Sequence, residues 1–283
     1  MLKKYTDIYG EFSVLTGYQS SITNPDISVI ISVFNGENFI YNCINSIKSQ
    51  TYSNIEIVII DDGSSDSSLD MIKESLKDFR YYKIVIQKNI GLTKSLIRGI
   101  FLSTGRYIAR QDIDDESLPD RLNKSITTLQ KYNLDLLFTR ALKFNKIVPN
   151  ILVSSFCNLR TYSFGNIFIH GTLFIKKSVL LVNLYNDNYK YSQDYKLFYE
   201  LLVKKYRIGV INEPLYKIGN NAESISNRRF EEQNYFKKLV IKEAGLKFSF
   251  IRIYSGNLGL LLRVFINIYS RIIKDENSIQ YIK

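Results

Sequence analysis

The chain has 283 residues, of which 45% are hydrophobic, so it is long enough for one large domain with a buried core. Its 38 basic and 27 acidic residues give a formal net charge of +11, and residues 228–283 contribute more than half of this excess. A basic chain suits an anionic partner. Neither zinc-finger spacing nor a glycine-aromatic RNA-binding motif occurs, so we predict no nucleic-acid partner.

The two cysteines, Cys43 and Cys157, form no CxxC pair, so no disulfide framework is predicted. Cys43 falls on the apolar side of a predicted helix and is expected to be a core residue. The N-terminus has no continuous apolar run, so we predict no signal peptide. A reducing, cytoplasmic location fits these features.

The first predicted elements are two buried strands with a helix between them. Residues 1–25 are expected to be a loosely structured lead-in. Ile27–Val33 (ISVIISV) and Ile55–Ile60 (IEIVII) are continuous β-branched runs, which are typical of strands buried on both faces. Apolar residues recur at helical spacing between them, at Ile40, Cys43, Ile44 and Ile47.

The alternation of strands and helices continues downstream. A helix can start from Ser65 or Asp66 as cap. The next predicted elements are a strand at Ile84–Gln87, a helix at Thr93–Ser103 and a strand at Arg106–Arg110. This alternation predicts an α/β fold with a doubly wound, mostly parallel sheet that is flanked by helices.

Beyond Asp115 the pattern becomes less regular. The predicted elements there are a helix near 120–131, a short strand at 134–138, a strand at Gly171–Ile175, a helix at Asp194–Tyr206 and a polar loop at Gly219–Ser226. Residues 27–115 therefore form a predicted nucleotide-binding half, and residues 116–226 form a second half that would bind an acceptor.

Three polar clusters follow predicted strands. They are Phe34-Asn35-Gly36-Glu37, Asp61-Asp62-Gly63-Ser64 and Gln111-Asp112-Ile113-Asp114-Asp115. Ligands of open parallel sheets bind beyond the carboxyl ends of the strands, so the three clusters predict a binding site at this edge. Carboxylates of the second cluster can accept hydrogen bonds from a base or a ribose. Each of the first two clusters is also compatible with a turn and a helix cap.

The third cluster predicts a metal site. Asp112 and Asp114 flank one residue, so in extended backbone both side chains point the same way. Two carboxylates on one side repel each other unless a cation lies between them, and Mg²⁺ or Mn²⁺ takes such oxygen ligands. The alternative is that Asp114, Asp115 and Ser117 only cap the following helix.

These residues carry a family resemblance. The segment ISVIISVFNGENFIYNCINSIKSQTYSNIEIVIIDDGSSDSS resembles the opening of the family 2 glycosyltransferases. NIGLTKSLIRGIFLSTGRYIARQDIDDESLPDRL is similar to that family's stretch through its Asp-x-Asp metal motif. The resemblance covers roughly residues 27–226. It implies a GT-A fold, a divalent metal (Mn²⁺ or Mg²⁺) and sugar transfer with inversion from a nucleoside-diphosphate donor that is usually UDP-linked.

The resemblance also implies which residues bind the donor and the metal. Asp61 or Asp62 would contact the uracil, and Asp112 and Asp114 would hold the metal. The donor-binding positions that it implies are Val33, Phe34, Asn35, Glu37, Asp61, Asp62, Gly91, Asp112, Ile113, His170 and Lys217.

Later segments match the family at the predicted acceptor side. KYSQDYKLFYELLVKKYRI is similar to the family segment that carries the catalytic base, which maps to Asp194. HGTLFIKKSVL is similar to a segment bordering the acceptor site, which places His170 near the substrates. Lys217 stands where relatives often have a basic residue facing the diphosphate. The residues themselves are also compatible with a helix cap at Asp194 and a structural histidine.

Two other functions stay open at this point. A sugar nucleotidyltransferase would begin with a glycine-rich, basic phosphate loop, whereas Val33–Glu37 has one glycine and no basic residue. A non-catalytic nucleotide-sugar-binding module would not need Asp112, Asp114 and Asp194 together. A dehydrogenase would need GxGxxG after the first strand, which the sequence lacks.

Residues 1–226 are thus the predicted catalytic domain, and residues 227–283 are a basic, helical C-terminal extension. Between Arg252 and Arg271 only Arg263 is charged, and the apolar residues recur at helical spacing. The polar stripe opposite them argues against a membrane-spanning helix. The pattern predicts an amphipathic helix that lies on an anionic membrane, or that packs on the catalytic domain or on a second copy in a homo-oligomer.

The resemblance favours an enzyme of bacterial surface polysaccharide synthesis, such as capsule or lipopolysaccharide synthesis, held peripherally at the inner face of the cell membrane. Its acceptor would be a glycan or a lipid-linked glycan. The sequence names neither the sugar nor the linkage.

Overall fold

The computed structural model describes residues 2–18, 25–149, 166–221, 228–243 and 279–282. Within them the strands are β1 (Leu2–Asp7), β2 (Gly10–Tyr18), β3 (Ile27–Val33), β4 (Ile55–Asp61), β5 (Tyr81–Gln87), β6 (Tyr107–Asp112), β7 (Glu116–Ser117), β8 (Leu136–Lys143), β9 (Lys146–Val148), β10 (Phe174–Lys176), β11 (Ile208–Lys217) and β12 (Ile279–Ile282). The helices of these ranges are α1 (Glu37–Lys48), α2 (Ser68–Leu76), α3 (Leu92–Leu102), α4 (Arg121–Lys131), α5 (Lys177–Val182), α6 (Gln193–Val203) and α7 (Phe230–Glu243).

One sheet contains these strands in the order β1-β2-β5-β4-β3-β6-β10-β8-β11-β12, with β7 attached to β11 and β9 to β8. The pairing is parallel from β5 through β4 and β3 to β6, and again between β8 and β11. The other strand pairs are antiparallel. Helices cover both faces, which confirms the predicted α/β fold with a parallel centre.

The β-branched runs of the sequence form the centre of the core. Every residue of β4 is buried, and β3 is buried except at Ser32, which is half-buried. Successive strand residues point to opposite faces, so Ile30 packs with α3 and Val29 packs with α1. Cys43 lies fully buried on the α1 side, as its helical spacing predicts.

The N-terminal residues 2–18 form a hairpin, so the predicted loosely structured lead-in is wrong. Strand β2 pairs antiparallel with β5 along seven positions and buries Phe12 and Val14. Every residue of β1 is exposed. A hairpin at the edge of a sheet buries few side chains, so its hydrophobic pattern is weak and the sequence signal is easily missed.

The predicted strand Gly171–Ile175 is also only partly correct. Residues His170–Thr172 form a 3-10 turn, and the strand β10 begins at Phe174. A Cβ atom at Gly171 would lie 2.2 Å from the Tyr216 hydroxyl, so only glycine lets the backbone pass this close. This close approach bends the chain before the strand.

The C-terminal region contributes a helix and a strand to the same body. Val240 and Ile241 of α7 join the core around α6, and Lys196 of α6 pairs with Glu243 at 2.7 Å. Strand β12 pairs with β11, so the predicted extension is not helical throughout. The predicted amphipathic segment around Arg263 lies outside the described residues. No helix in the described ranges is long and apolar enough to cross a membrane.

Candidate active site

The first two predicted clusters lie side by side at the carboxyl edge of β3 and β4. Asn35, at φ 51°, donates its backbone N–H to Ser64 Oγ at 3.0 Å. Its side-chain oxygen accepts the Ser65 N–H at 2.8 Å. Gly63 permits this packing, because its φ is +77° and a Cβ there would lie 2.7 Å from the Asn89 nitrogen. The two loops therefore hold each other in place.

The N-termini of α1 and α2 cap one another. The Glu37 N–H donates to Asp66 Oδ2 at 3.1 Å, and the Ser67 N–H donates to Glu37 Oε2 at 2.9 Å. Gly36 donates its N–H to Ser68 Oγ at 2.9 Å. These side chains satisfy N–H groups that a helix start leaves unpaired. One oxygen of Glu37 is thus used by the cap, and its contact with the donor stays a prediction.

Asp61 and Asp62 are both buried but have different partners. Asp62 accepts hydrogen bonds from Gln87 Nε2, the Ile90 N–H and the Gly91 N–H, at 2.7, 2.8 and 2.9 Å. Asp61 accepts one from the Ser64 N–H at 3.2 Å. Asp62 therefore shapes the loop that precedes α3, whereas Asp61 keeps acceptor capacity toward the edge of the sheet.

The remaining donor-side residues surround these carboxylates. Val33 is buried at the end of β3, while the Phe34 ring is 53% exposed. Gly36 lies between Val33 and Ile113, because a Cβ on it would be 3.2 and 3.4 Å from their side chains. Gly91 has φ 88° and precedes α3, a conformation that disfavours any residue with a Cβ.

The third cluster forms a turn, so the predicted extended backbone is wrong. The Asp115 N–H donates to the Asp112 carbonyl at 3.3 Å, because the chain must turn from β6 toward β7. The two predicted metal ligands have separate partners. Arg110 Nη2 donates to Asp112 Oδ1 at 2.6 Å, and Asn221 Nδ2 donates to Asp114 Oδ2 at 3.0 Å.

Acidic side chains crowd together at this turn. Burial and the Asp112 charge raise the pKa of the Asp114 carboxyl. Burial, with the charges of Asp112 and Asp114, raises the pKa of Asp115 to about 8. Arg110 is the basic side chain that forms an ion pair with Asp112. The turn is therefore a place where a cation would relieve both repulsion and desolvation.

These residues fit a divalent cation that shares its ligands with a substrate. Within the described ranges, no group of three or more His, Cys, Asp or Glu side chains converges to hold an ion. Mg²⁺ is commonly bound by one or two carboxylates together with substrate phosphates and water. Asp112 and Asp114 match that smaller donor set.

His170 lies close to the acidic turn and to the helix that carries the predicted base. Its Nε2 is 2.7 Å from the Tyr185 hydroxyl, and its ring packs edge-on against Phe198. Burial, followed by the charge of Arg110, lowers the pKa of His170 to about 4, although the carboxylates of Asp194 and Asp112 oppose this. The imidazole is therefore neutral at pH 7.

Asp194 is half-buried in the first turn of α6. Asn166 Nδ2 donates to its Oδ2 at 2.8 Å. The preceding Ser192 has φ 56° and donates its Oγ–H to the Gln233 carbonyl of α7 at 3.0 Å. The His170 ring packs on Phe198 of α6, and a Cβ at the adjacent Gly171 would lie 2.9 Å from Asp112 Oδ2, so the structure brings the predicted residues Asp112, His170 and Asp194 close together.

Lys217 lies at the end of β11 with its side chain exposed and pairs with Glu116 at 2.9 Å. Pairing of β7 with β11 places both residues next to the acidic turn. This position is compatible with the predicted contact to a diphosphate.

Three residues that the sequence analysis missed support the site. Arg110 pairs with Asp112, Tyr185 contacts His170, and the Tyr216 hydroxyl accepts the Asp112 N–H at 3.0 Å. Arg110 had a signal, since it is two residues before Asp112 in a strand and so shares its face. Tyr185 and Tyr216 had none, because their contacts depend on distant parts of the chain.

The structure has an α/β fold in which the polar loops at the carboxyl edge of the parallel strands lie beside an acidic turn. The sequence profile described as Glycosyl transferase family 2 matches residues 28–176, which is more than half of the chain. The chain belongs to this family and is a glycosyltransferase.

Relatives and solved structures agree with this assignment. The chain is 29% identical over 263 residues to an uncharacterized glycosyltransferase of Haemophilus influenzae, covering 85% of the chain and 77% of the relative. It is 28% identical to the amylovoran biosynthesis glycosyltransferase AmsE of Erwinia amylovora, covering 83% and 91%.

Two solved structures show the same fold. S. aureus TarS 1–349 in complex with UDP-GlcNAc aligns with a TM-score of 0.63 at 18% identity, covering 76% of this chain and 66% of that one. The mannosyltransferase PcManGT from Pyrobaculum calidifontis, in complex with GDP-Man and Mn²⁺, aligns with a TM-score of 0.61 at 15% identity, covering 89% and 82%. The predicted GT-A-type fold is confirmed.

Proposed function

We propose that the chain transfers a sugar from a nucleoside-diphosphate donor to a hydroxyl group by a single displacement that inverts the anomeric carbon. The observation that carries this proposal is that His170 packs on Phe198, in the helix of Asp194, while the adjacent Gly171 lies against Asp112. The reaction needs carboxylates in two separate places, one set toward the leaving diphosphate and one toward the acceptor. Asp112 and Asp194 meet this need.

The nucleotide is proposed to bind over the loops that follow β3 and β4. Asp61 is the better candidate to accept the N–H of uracil, because the lone pairs of Asp62 already accept three hydrogen bonds from the chain. The exposed ring of Phe34 lies at the same edge and can stack on a base. A UDP-sugar is the donor that the family resemblance favours.

The leaving diphosphate is proposed to lie at the acidic turn. Asp112 and Asp114 would hold a Mn²⁺ or Mg²⁺ ion, which neutralises the charge that develops on the leaving group. Arg110 stays paired with Asp112 Oδ1 and holds that carboxylate in one orientation. Lys217, beside Glu116, is near enough to this edge to face the phosphates.

The acceptor hydroxyl is proposed to approach from the α6 side. Asp194 takes its proton as general base while Asn166 fixes the carboxylate through Oδ2. The neutral His170, whose Nε2 is engaged with Tyr185, can align the acceptor through a hydrogen bond without adding charge.

A donor screen tests this proposal. UDP-sugars and GDP-sugars are compared by thermal shift with and without Mn²⁺, since a ligand that binds the native state raises the melting temperature. Nucleotide release from the best donor is then measured. Binding and release that both depend on Mn²⁺ are expected. Binding without any release would instead favour a non-catalytic nucleotide-sugar-binding module, and no binding would contradict the proposal.

The acceptor is proposed to be a glycan or a lipid-linked glycan of a bacterial surface polysaccharide, reached from the cytoplasmic membrane surface. The segment around Arg263 and Arg271, which the sequence predicts to be basic and amphipathic, supports this, because such segments bind anionic lipid interfaces.

Flotation of the full chain with anionic vesicles at low salt tests the membrane contact. The chain is expected to float, and Arg263→Glu with Arg271→Glu is expected to abolish flotation while donor binding persists. Substitution is preferable to truncation, because truncation would also remove β12 from the sheet. If the full chain does not bind anionic vesicles, the membrane contact is contradicted and the segment is left with a structural or intersubunit role.

A further inference from the structure

The tip of the N-terminal hairpin lies at the same edge of the sheet as the nucleotide pocket. Strand β2 runs antiparallel to β5 with Phe12 opposite Gln87, which is the last residue of β5. The turn between β1 and β2 therefore lies beside loop 88–91. This loop leads into α3 and contains Gly91, one of the predicted donor-binding positions.

The hairpin surrounds a buried guanidinium. Arg98 of α3 is 2% exposed and donates from Nε to Asp7 Oδ2 at 2.8 Å, with a second bond from Nη2 to the other carboxylate oxygen. Its Nη2 also donates to the Gly10 carbonyl at 3.3 Å. The central carbon of the guanidinium lies 4.2 Å from the centre of the Phe12 ring. The Arg98 hydrogen bond holds the pKa of Asp7 below its usual value.

Arg98 fixes the orientation of the Gln87 amide. Gln87 Oε1 accepts from Arg98 Nη1 at 2.5 Å, while Nε2 donates to Asp62 Oδ1 at 2.7 Å and to Ser95 Oγ at 2.9 Å. A reversed amide would direct N–H groups at the guanidinium and an oxygen at the carboxylate, and both contacts are repulsive. The charges at the two ends therefore permit one orientation.

Asp62 transmits this orientation to the pocket. Its carboxylate accepts the N–H groups of Ile90 and Gly91, so it sets the shape of loop 88–91. The loop in turn packs against Gly63, two residues after Asp61. An unbroken series of hydrogen bonds thus runs from Asp7 through Arg98 and Gln87 to Asp62, at the proposed nucleotide pocket.

We propose that Asp7, Arg98 and Gln87 are positioning residues that couple the N-terminal hairpin to nucleotide binding. The inference rests on the proposed function, since it assigns the pocket beside Asp62 to the nucleotide. In this arrangement Asp7 balances the charge of Arg98, Arg98 aligns Gln87, and Gln87 holds Asp62 and loop 88–91 in the shape that accepts the base.

The decisive variant is Asp7→Asn, which removes the charge and keeps the size of the side chain. Arg98 still packs on Phe12 and the Gly10 carbonyl, so the protein should fold. The matched control is Glu11→Gln in the same hairpin, because Glu11 is exposed and lies across from Thr6. Asp7→Glu, which retains the charge, should preserve most of the wild-type behaviour.

Two measurements are made on the full chain. Calorimetric titration with UDP and with GDP, both with Mn²⁺, should show about tenfold weaker binding for Asp7→Asn and unchanged binding for Glu11→Gln. Amide hydrogen exchange at Ile90 and Gly91, measured without nucleotide, should be about tenfold faster in Asp7→Asn only. In donor hydrolysis, KM should rise while kcat stays close to wild type.

The outcomes separate the inference from the proposed function. Unchanged exchange at Ile90 and Gly91 in Asp7→Asn would overturn the coupling, whatever the nucleotide affinity. Faster exchange with unchanged UDP and GDP affinity would overturn its role in binding. A wild-type chain that binds neither nucleotide would refute the proposed function itself. If Asp7→Asn is too unstable, Arg98→Lys serves instead, because it keeps the positive charge but loses the paired N–H groups of the guanidinium. It should give the same changes in nucleotide affinity and in amide exchange.

Discussion

Two regions of the site hold their carboxylates in different ways. In the locked loops, which comprise residues 34–37, 61–68 and 88–91, backbone N–H groups occupy the acidic side chains, as at Asp62. On the proposed reaction side, which comprises the acidic turn, His170 and Asp194, each carboxylate has few partners. Asn166 alone among the described residues donates to Asp194. A carboxylate engaged by the backbone shapes a pocket, whereas a sparsely bonded one can exchange its partner for an ion or a substrate.

The electrostatics follow the same division. Burial raises the pKa of Asp66 in the locked loops, but hydrogen bonds from Ser68 and the Glu37 N–H outweigh it and the net shift is downward. On the reaction side, burial and neighbouring charge raise the pKa of Asp114 and Asp115. Hydrogen bonds from the chain therefore outweigh burial in the first region, whereas in the second they do not, and added positive charge would stabilise it further.

The largest expected effect is at the acidic turn. Asp112→Asn should lower Mn²⁺-dependent nucleotide release by about 10³-fold, because it removes a ligand of the ion that neutralises the leaving group. EDTA should abolish release from wild type, and added Mn²⁺ or Mg²⁺ should restore it. Asp70→Asn, an exposed change on α2, serves as control. Full activity in EDTA would contradict the assignment of this turn.

A smaller effect is expected at the other end of the reaction side. Asp194→Asn keeps the size of the side chain but removes its basicity, so turnover should fall by about 10²-fold. Donor affinity, measured by calorimetry, should stay close to wild type because Asp194 is assigned to the acceptor. Wild-type turnover in this variant would mean that another residue accepts the proton.

Substitutions in the locked loops are expected to change folding stability or nucleotide binding rather than the chemical step. Asp62→Asn presents an amide N–H where three donors converge, so the free energy of unfolding should fall by about 3 kcal/mol in urea titrations. Asp61→Asn should cost less than about 1 kcal/mol and weaken UDP binding instead. Equal losses of stability at the two positions would remove the distinction between the two aspartates.

The smallest effect concerns pH. His170 is the one histidine in the chain, so a single imidazole resonance reports its titration. Its pKa is expected near 4 rather than 6.5. Between these values the folded state binds fewer protons than the unfolded state, so the contribution of His170 to stability is present above pH 6.5 and is lost on acidification. His170→Gln should remove the contribution of His170 to the change of folding stability with pH. An imidazole resonance that titrates at 6.5 would contradict the burial.

Much of the fold was predictable because burial leaves a local pattern. The run Ile27–Val33 predicted β3 to the residue, and the runs that became β4 and β6 were placed within two residues. Parallel strands bring their carboxyl ends to one edge, so the sequence also placed the three polar clusters together. The hairpin escaped prediction, because an edge strand such as β1 buries none of its side chains.

The sequence by itself therefore determined the α/β centre, the family and the edge at which the candidate site lies, since these depend on periodicity and on motifs in order. Only the tertiary structure decided that Asp62 rather than Asp61 is held by the N–H groups of loop 88–91 and that the acidic cluster is a turn. It also decided that Asp7 reaches Arg98, a contact that spans 91 positions of the chain. Hydrogen-bond partners so far apart leave no local pattern, because each is chosen by the packing of elements that must form first.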